Sequence, residues 1–170
     1  MMKQYTDNTK PCAAGQAEAC AKLAEAQIFF KDSPAEIGKN YGVACSARPA
    51  NRVTGDAFYC LQAGEYAELP SGAGSAAALS AYADGCSLGN FASCEAARRL
   101  DPLNTEHYAS QGCTAGHSTS CTILASIYAD PQNPQYNVAR AKEILVNACR
   151  FTNDACAALG KLEVQEATKP

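Results

Sequence analysis

Ten cysteines stand in this chain of 170 residues, and their spacing is regular. They form five pairs: Cys12 with Cys20, Cys45 with Cys60, Cys86 with Cys94, Cys113 with Cys121, and Cys149 with Cys156. The first members recur at intervals of 33, 41, 27 and 36 residues. Thiols so arranged either oxidise in pairs or bind metal. Zinc requires four ligands clustered at short spacing, and these pair intervals, in a chain with only two histidines, do not supply them. Pairing is the expected chemistry, with a reduced cytosolic chain carrying structural thiols as the alternative. His107, beside Glu106, and His117, between Gly116 and Ser118, belong to no nucleophile, metal or phosphate motif. With eleven serines available, a Ser-His-Asp assignment has no specificity. No catalytic residue, metal or cofactor is expected.

The elements that must hold the cysteines repeat with them. Glycine precedes the second cysteine by five residues in four units, at Gly15, Gly55, Gly89 and Gly116; the fifth unit is one residue shorter, with Asn153-Asp154 expected to make its turn. Upstream of the first cysteines, apolar residues recur at helical spacing: Ile37, Tyr41, Ala44 and Cys45; Ala78, Tyr82, Gly85 and Cys86; Val138, Ala141, Leu145, Ala148 and Cys149. The residue just before the cysteine is small, Ala44, Gly85, Gly112 or Ala148, which lets a neighbouring helix approach closely. A second helical stretch follows each second cysteine, and breakers such as Ser33-Pro34, Asp101-Pro102 and Asp130-Pro131 separate the units. A left-handed glycine ending one helix immediately before the next makes a tight helical hairpin. One cysteine then lies in the last turn of the first helix and its partner in the first turn of the second, within disulfide reach. The expected fold is all-α, about five stapled hairpins in a right-handed α/α solenoid.

A composition of 47% hydrophobic and 18% charged residues is that of a globular chain, but one without tryptophan and with only five phenylalanines, so the disulfides offset a thin core. The net charge of −3 and the absence of any Lys/Arg-rich stretch argue against nucleic acid as a partner. The longest uncharged run, Leu69 to Ala83, is interrupted by Ser71-Gly72-Ala73-Gly74-Ser75 and is too short to span a bilayer. Oxidised cysteines imply an exporting route, periplasmic or secreted, whereas the N-terminus shows no apolar signal core; a mature exported chain lacking its signal peptide is the expectation.

The turn Cys-x-x-Gly-x-x-x-x-Cys at Cys12, Cys86 and Cys113, the small residue before the first cysteine, and Cys121, Leu124 and Tyr128 in the fourth unit resemble the Sel1-like repeat family, a relative of the tetratricopeptide repeats, in its secreted cysteine-rich branch. The chain departs from the family in its proline-containing inter-repeat loops and in seven extra residues between Cys45 and Cys60. The resemblance implies a non-enzymatic protein-binding module and, most specifically, a periplasmic immunity protein neutralising a secretion-system toxin. It also implies two alternatives: a binder of β-lactams or cell-wall fragments with at most weak hydrolase activity, and a purely structural envelope protein.

A single repeat domain is expected over residues 12–168, after an extended cap at 1–11, because Pro11 disfavours helical geometry at Lys10. Lys161, Glu163, Gln165, Glu166 and Lys169 give the last helix a polar face suited to a terminal repeat. In each first helix, the positions two, six and nine before the cysteine point away from the neighbouring hairpins and are expected to line a concave partner-binding face. They are Glu36, Lys39 and Val43; Ala77, Ser80 and Asp84; Asn104, His107 and Gln111; and Arg140, Glu143 and Asn147. The extended turn of the second unit, with Arg48, Asn51 and Arg52, is the other candidate contact.

Overall fold

The computed structural model describes residues 2–46 and 56–167, which are helical almost throughout. Contacts divide the chain into two compact units, residues 1–102 and 103–170, with the division inside a 3₁₀ turn at Pro102–Asn104. The first unit holds α1 (Met2–Ala13), α2 (Ala17–Phe30), α3 (Pro34–Ser46), α4 (Asp56–Glu68), α5 (Ser75–Ser87) and α6 (Phe91–Leu100). The second holds α7 (Thr105–Thr114), α8 (Ser118–Ala129), α9 (Val138–Cys149) and α10 (Asn153–Ala167). Within each unit every helix packs on its neighbours in sequence. Among the described residues no helix is long and apolar enough to cross a membrane.

All ten cysteines are paired as the spacing predicts, five disulfides each joining the two helices of a hairpin with Cα atoms 4.5–4.7 Å apart. The turns at Gly15, Gly89 and Gly116 are the same structure three times. The glycine is left-handed, at φ +80°, +86° and +91°. Its N–H returns to the cysteine carbonyl, while the next N–H reaches the residue before that cysteine: Gln16 to Pro11, Asn90 to Gly85, His117 to Gly112. This double closure satisfies the last carbonyls of the first helix and turns the chain directly into the second, which places the second cysteine one turn in. Asn90 strengthens its start by accepting from the Ser93 N–H at 2.8 Å.

Small residues before the first cysteine do allow close approach. A Cβ on Gly85 would overlap Ser93 Oγ and stand 3.0 Å from Cys60 Cβ. The cores are accordingly built largely of alanine, with Leu23, Ile37 and Tyr41 in the first unit and Leu124, Tyr128, Leu145 and Leu162 in the second. A polar pair is buried among them, Asn40 Nδ2 donating to Gln27 Oε1 at 2.7 Å. Burial pushes the Tyr41 hydroxyl up to about 12.

Two local expectations are corrected. Residues 2–11 are not an extended cap but most of α1, with Pro11 inside the helix. Proline gives the Asp7 carbonyl no N–H, a penalty that long-range contacts outweigh: Tyr5 packs edge-on against Phe30 at 5.7 Å, its hydroxyl donates to Asp32 at 3.0 Å, and Cys12 is tied to Cys20. In the fifth unit Asn153 and Asp154 do not form the turn; they open α10. The link is only Arg150–Thr152, closed by Phe151 and Thr152 N–H groups on the Ala148 carbonyl, with Thr152 Oγ1 accepting from the Ala155 N–H at 3.5 Å.

Candidate functional site

Helices α3 and α5 are not neighbours in sequence, and between them, over α4, the first unit forms a groove of about 350 Å³. Its floor is Ala63 and Ala67 of α4; its walls include Gly38, Lys39 and Gly42 of α3 and Ala77, Ser80, Ala81 and Asp84 of α5. Four of the six face residues predicted for this unit, Lys39, Ala77, Ser80 and Asp84, therefore meet in one place, all exposed. The physical reason is periodicity: residues four and three or four apart share a helix face, and the opposite face of the same helices carries the buried Ile37, Tyr41, Ala78 and Tyr82. Glu36 is exposed on α3 and Val43 half-buried, neither in the groove lining. Lys39 and Asp84 carry opposite charges on opposite walls, and neither has an ion-pair partner among the described residues.

The second unit uses the same register differently. Asn104 and His107 line a polar pocket of about 380 Å³ with Glu106, Ser110 and Gln135. Gln111 is half-buried, and its Oε1 is buried without a hydrogen-bond partner among the described residues. Arg140 lies over the Tyr128 ring, 4.6 Å from Cζ to centroid, while Glu143 and Asn147 stand exposed on α9. Tyr128 in turn donates to Glu106 Oε1 at 3.0 Å; burial first, then that bond, holds its hydroxyl above the ordinary tyrosine range. Arg48, Asn51 and Arg52, the proposed extended-turn contact, lie outside the described residues. No cluster of three or more candidate metal ligands occurs among the described residues.

Register alone missed the groove's small residues, Gly42, Ala63, Ala67 and Ala81, and the pocket residues Ser110 and Gln135. A signal for one of them was present: Gly42 interrupts a helical pattern three residues before Cys45, where glycine costs about 1 kcal/mol relative to alanine. Ser110 and Gln135 carry no such mark. No protein-family model matches the chain, and no curated protein or solved structure is significantly similar to it.

Proposed function

We propose that the chain is an exported, non-enzymatic protein-binding repeat protein of the Sel1-like kind, its hairpins continuing one another as a right-handed α/α solenoid. The observation that carries this reading is the gathering of Lys39, Ala77, Ser80 and Asp84 into one groove, since these positions come from equivalent places in two successive hairpins. Repetition of a hairpin generates a continuous face, and such faces bind macromolecules. Alanine and glycine walls flanked by one cation and one anion supply contact area and orientation. The five disulfides fit an oxidising compartment, and a periplasmic immunity protein facing a secretion-system toxin is the most specific form of the proposal.

Lys39→Glu combined with Asp84→Lys tests it. The circular dichroism spectrum is expected to stay unchanged, while capture of the partner identified by mass spectrometry from a periplasmic extract weakens. Unchanged capture overturns the groove assignment and turns attention to Arg48 and Arg52. The second reading, a binder of β-lactams or cell-wall fragments, draws on the polar pocket around His107, where Asn104, Glu106, Ser110 and Gln135 converge. Titration with a labelled β-lactam against wild type and His107→Ala separates the two.

A further inference from the structure

The five disulfides differ in what shields them. Cys12–Cys20, Cys45–Cys60 and Cys86–Cys94 are buried at both ends, with none of the six cysteines more than 7% exposed. Cys113–Cys121 is buried at Cys121 and half-buried at Cys113. Cys149–Cys156 is half-buried at both ends, and the link beside it is open: Arg150 is exposed, and Phe151 is 80% exposed. Its hairpin also depends on the bond most. The turns at Gly15, Gly89 and Gly116 each satisfy two different carbonyls, whereas no left-handed residue closes the fifth link, and its Phe151 and Thr152 N–H groups share the Ala148 carbonyl at 3.0 and 3.3 Å. Beyond the link, α10 is thinly anchored. Of its 15 residues only Ala155 and Leu162 are buried, against five of 12 in α8. Half-buried Ala158 and Leu159 and an ion pair between Lys142 and Glu166 complete its attachment to α8 and α9.

We propose that Cys149–Cys156 is a redox latch: an external dithiol reduces it ahead of the other four disulfides, and its opening frees α10 from α9 while the remaining hairpins stay closed. Accessible disulfides are the reducible ones, because the attacking thiolate must reach a sulfur and burial blocks that approach. Position assigns the sulfur attacked. Cys149 is the last residue of α9, and Cys156 lies in the first turn of α10, where a helix N-terminus favours negative charge, so Cys156 is the better leaving group. One thiolate of the dithiol bonds to Cys149 Sγ, the S–S electron pair departs on Cys156, and that thiolate takes up a proton. The second thiolate then attacks the mixed disulfide; Cys149 leaves and is protonated, and the reductant ends as its own disulfide. The dithiol supplies both electrons and both protons. The reduced hairpin keeps only the closure on Ala148 at its turn, so α10 opens more often and uncovers Ala141 and Leu145 of α9, with which Leu162 packs.

Graded dithiothreitol on the oxidised protein, followed by acid quenching, alkylation and peptide mapping, reads the order of reduction, and hydrogen exchange on the same samples reads α10. Cys149 and Cys156 should be alkylated first, roughly tenfold or more ahead of Cys86 and Cys94. In that partly reduced species the amides of α10 should exchange faster while those of α3–α6 keep their protection, and reoxidation should restore α10. The double variant Cys149→Ser with Cys156→Ser should show the same fast exchange in α10 without reductant. With glutathione, a monothiol, the mixed disulfide trapped by acid is expected on Cys149. Reduction of all five disulfides in one step, or of any other pair first, overturns the latch. So does early reduction of Cys149–Cys156 with α10 protection unchanged, since the bond would then be accessible but hold nothing closed. A glutathione adduct on Cys156 overturns the order of bond breaking.

Discussion

Each unit contains a tyrosine, a glutamate and an arginine drawn from three successive helices, and the arginine does a different job in each. In the first, Tyr82 donates to Glu68 Oε2 at 2.8 Å and Arg99 donates to the same oxygen at 2.6 Å, so two donors converge on one carboxylate. In the second, Tyr128 donates to Glu106, but Arg140 rests on the tyrosine ring. Arg99 comes from a second helix of a hairpin, α6, whereas Arg140 comes from a first helix, α9, at a position that the repeat register assigns to the binding face. The second unit thus engages internally a cation of its face rows, whereas Lys39, the one cation in the first unit's face rows, has no ion-pair partner among the described residues. Register states which way a side chain points; whether it remains available depends on which neighbours the next helix brings.

The disulfides offer the strongest way to break this comparison. Cys86–Cys94 and Cys113–Cys121 have the same sequence separation of 8, so loop entropy assigns both about 2–3 kcal/mol. Replacing each pair by alanine should lower urea midpoints comparably, with hydrogen-exchange protection lost mainly in the unit that carried the pair. Equal loss of protection in both units would show one cooperative body instead of two. Next in size is Gly85→Ala, where the new methyl overlaps Ser93 Oγ and stands 2.8 Å from Ser93 Cβ; overpacking should cost roughly 1–3 kcal/mol, partly offset by helix propensity. Gly42→Ala, where a Cβ would meet nothing within 4 Å, should have the opposite sign by about 0.5–1 kcal/mol. If both glycines respond alike in thermal melts, the distinction between a packed and an open glycine fails.

The two tyrosine–glutamate–arginine clusters give smaller effects. Arg140→Ala removes a half-exposed cation–π contact and should cost about 0.5–1 kcal/mol in the second unit. Tyr82→Phe should cost about 1 kcal/mol in the first, since Glu68 keeps Arg99. The smallest effect concerns pH. The Arg99 hydrogen bond foremost, with that of Tyr82, holds the Glu68 carboxyl below the usual carboxylate range. A depressed folded-state value means that its contribution is present above the unfolded glutamate pKa and is lost as pH falls through the folded one. Acid should therefore weaken the first unit slightly more in wild type than in Glu68→Gln, measured as the slope of the urea midpoint against pH. At the alkaline end the sign reverses. Tyr41, raised to about 12 by burial, supports the unit below the ordinary tyrosine pKa and withdraws that support as pH rises toward its folded value.

The hairpins were readable from sequence because their determinants are local. Cysteine, glycine and the small residue before the cysteine lie within about nine residues, and the double closure at each glycine turn spans six, so spacing alone implies the geometry. The candidate face was half readable: periodicity placed Lys39, Ala77, Ser80 and Asp84 on it, but the groove's floor comes from α4 and could not be inferred from the register of first helices.

What the sequence by itself determined, then, is the repeating unit: helical hairpins, five cysteine pairs joined within them, left-handed glycines at Gly15, Gly89 and Gly116, and the buried stripes of α3, α5 and α9; the fourth predicted turn glycine, Gly55, lies outside the described residues. These follow from steric and covalent constraints acting over a few residues, which no distant contact overrides cheaply. Tertiary structure alone decided the rest. Met2–Ala13 is helical through Pro11 because Phe30 and Asp32, brought back by the first hairpin, hold Tyr5 in place. Arg140 covers Tyr128 instead of standing free. In each case the local preference is worth about a kilocalorie or a few, and contacts between residues far apart in the chain are large enough to reverse it.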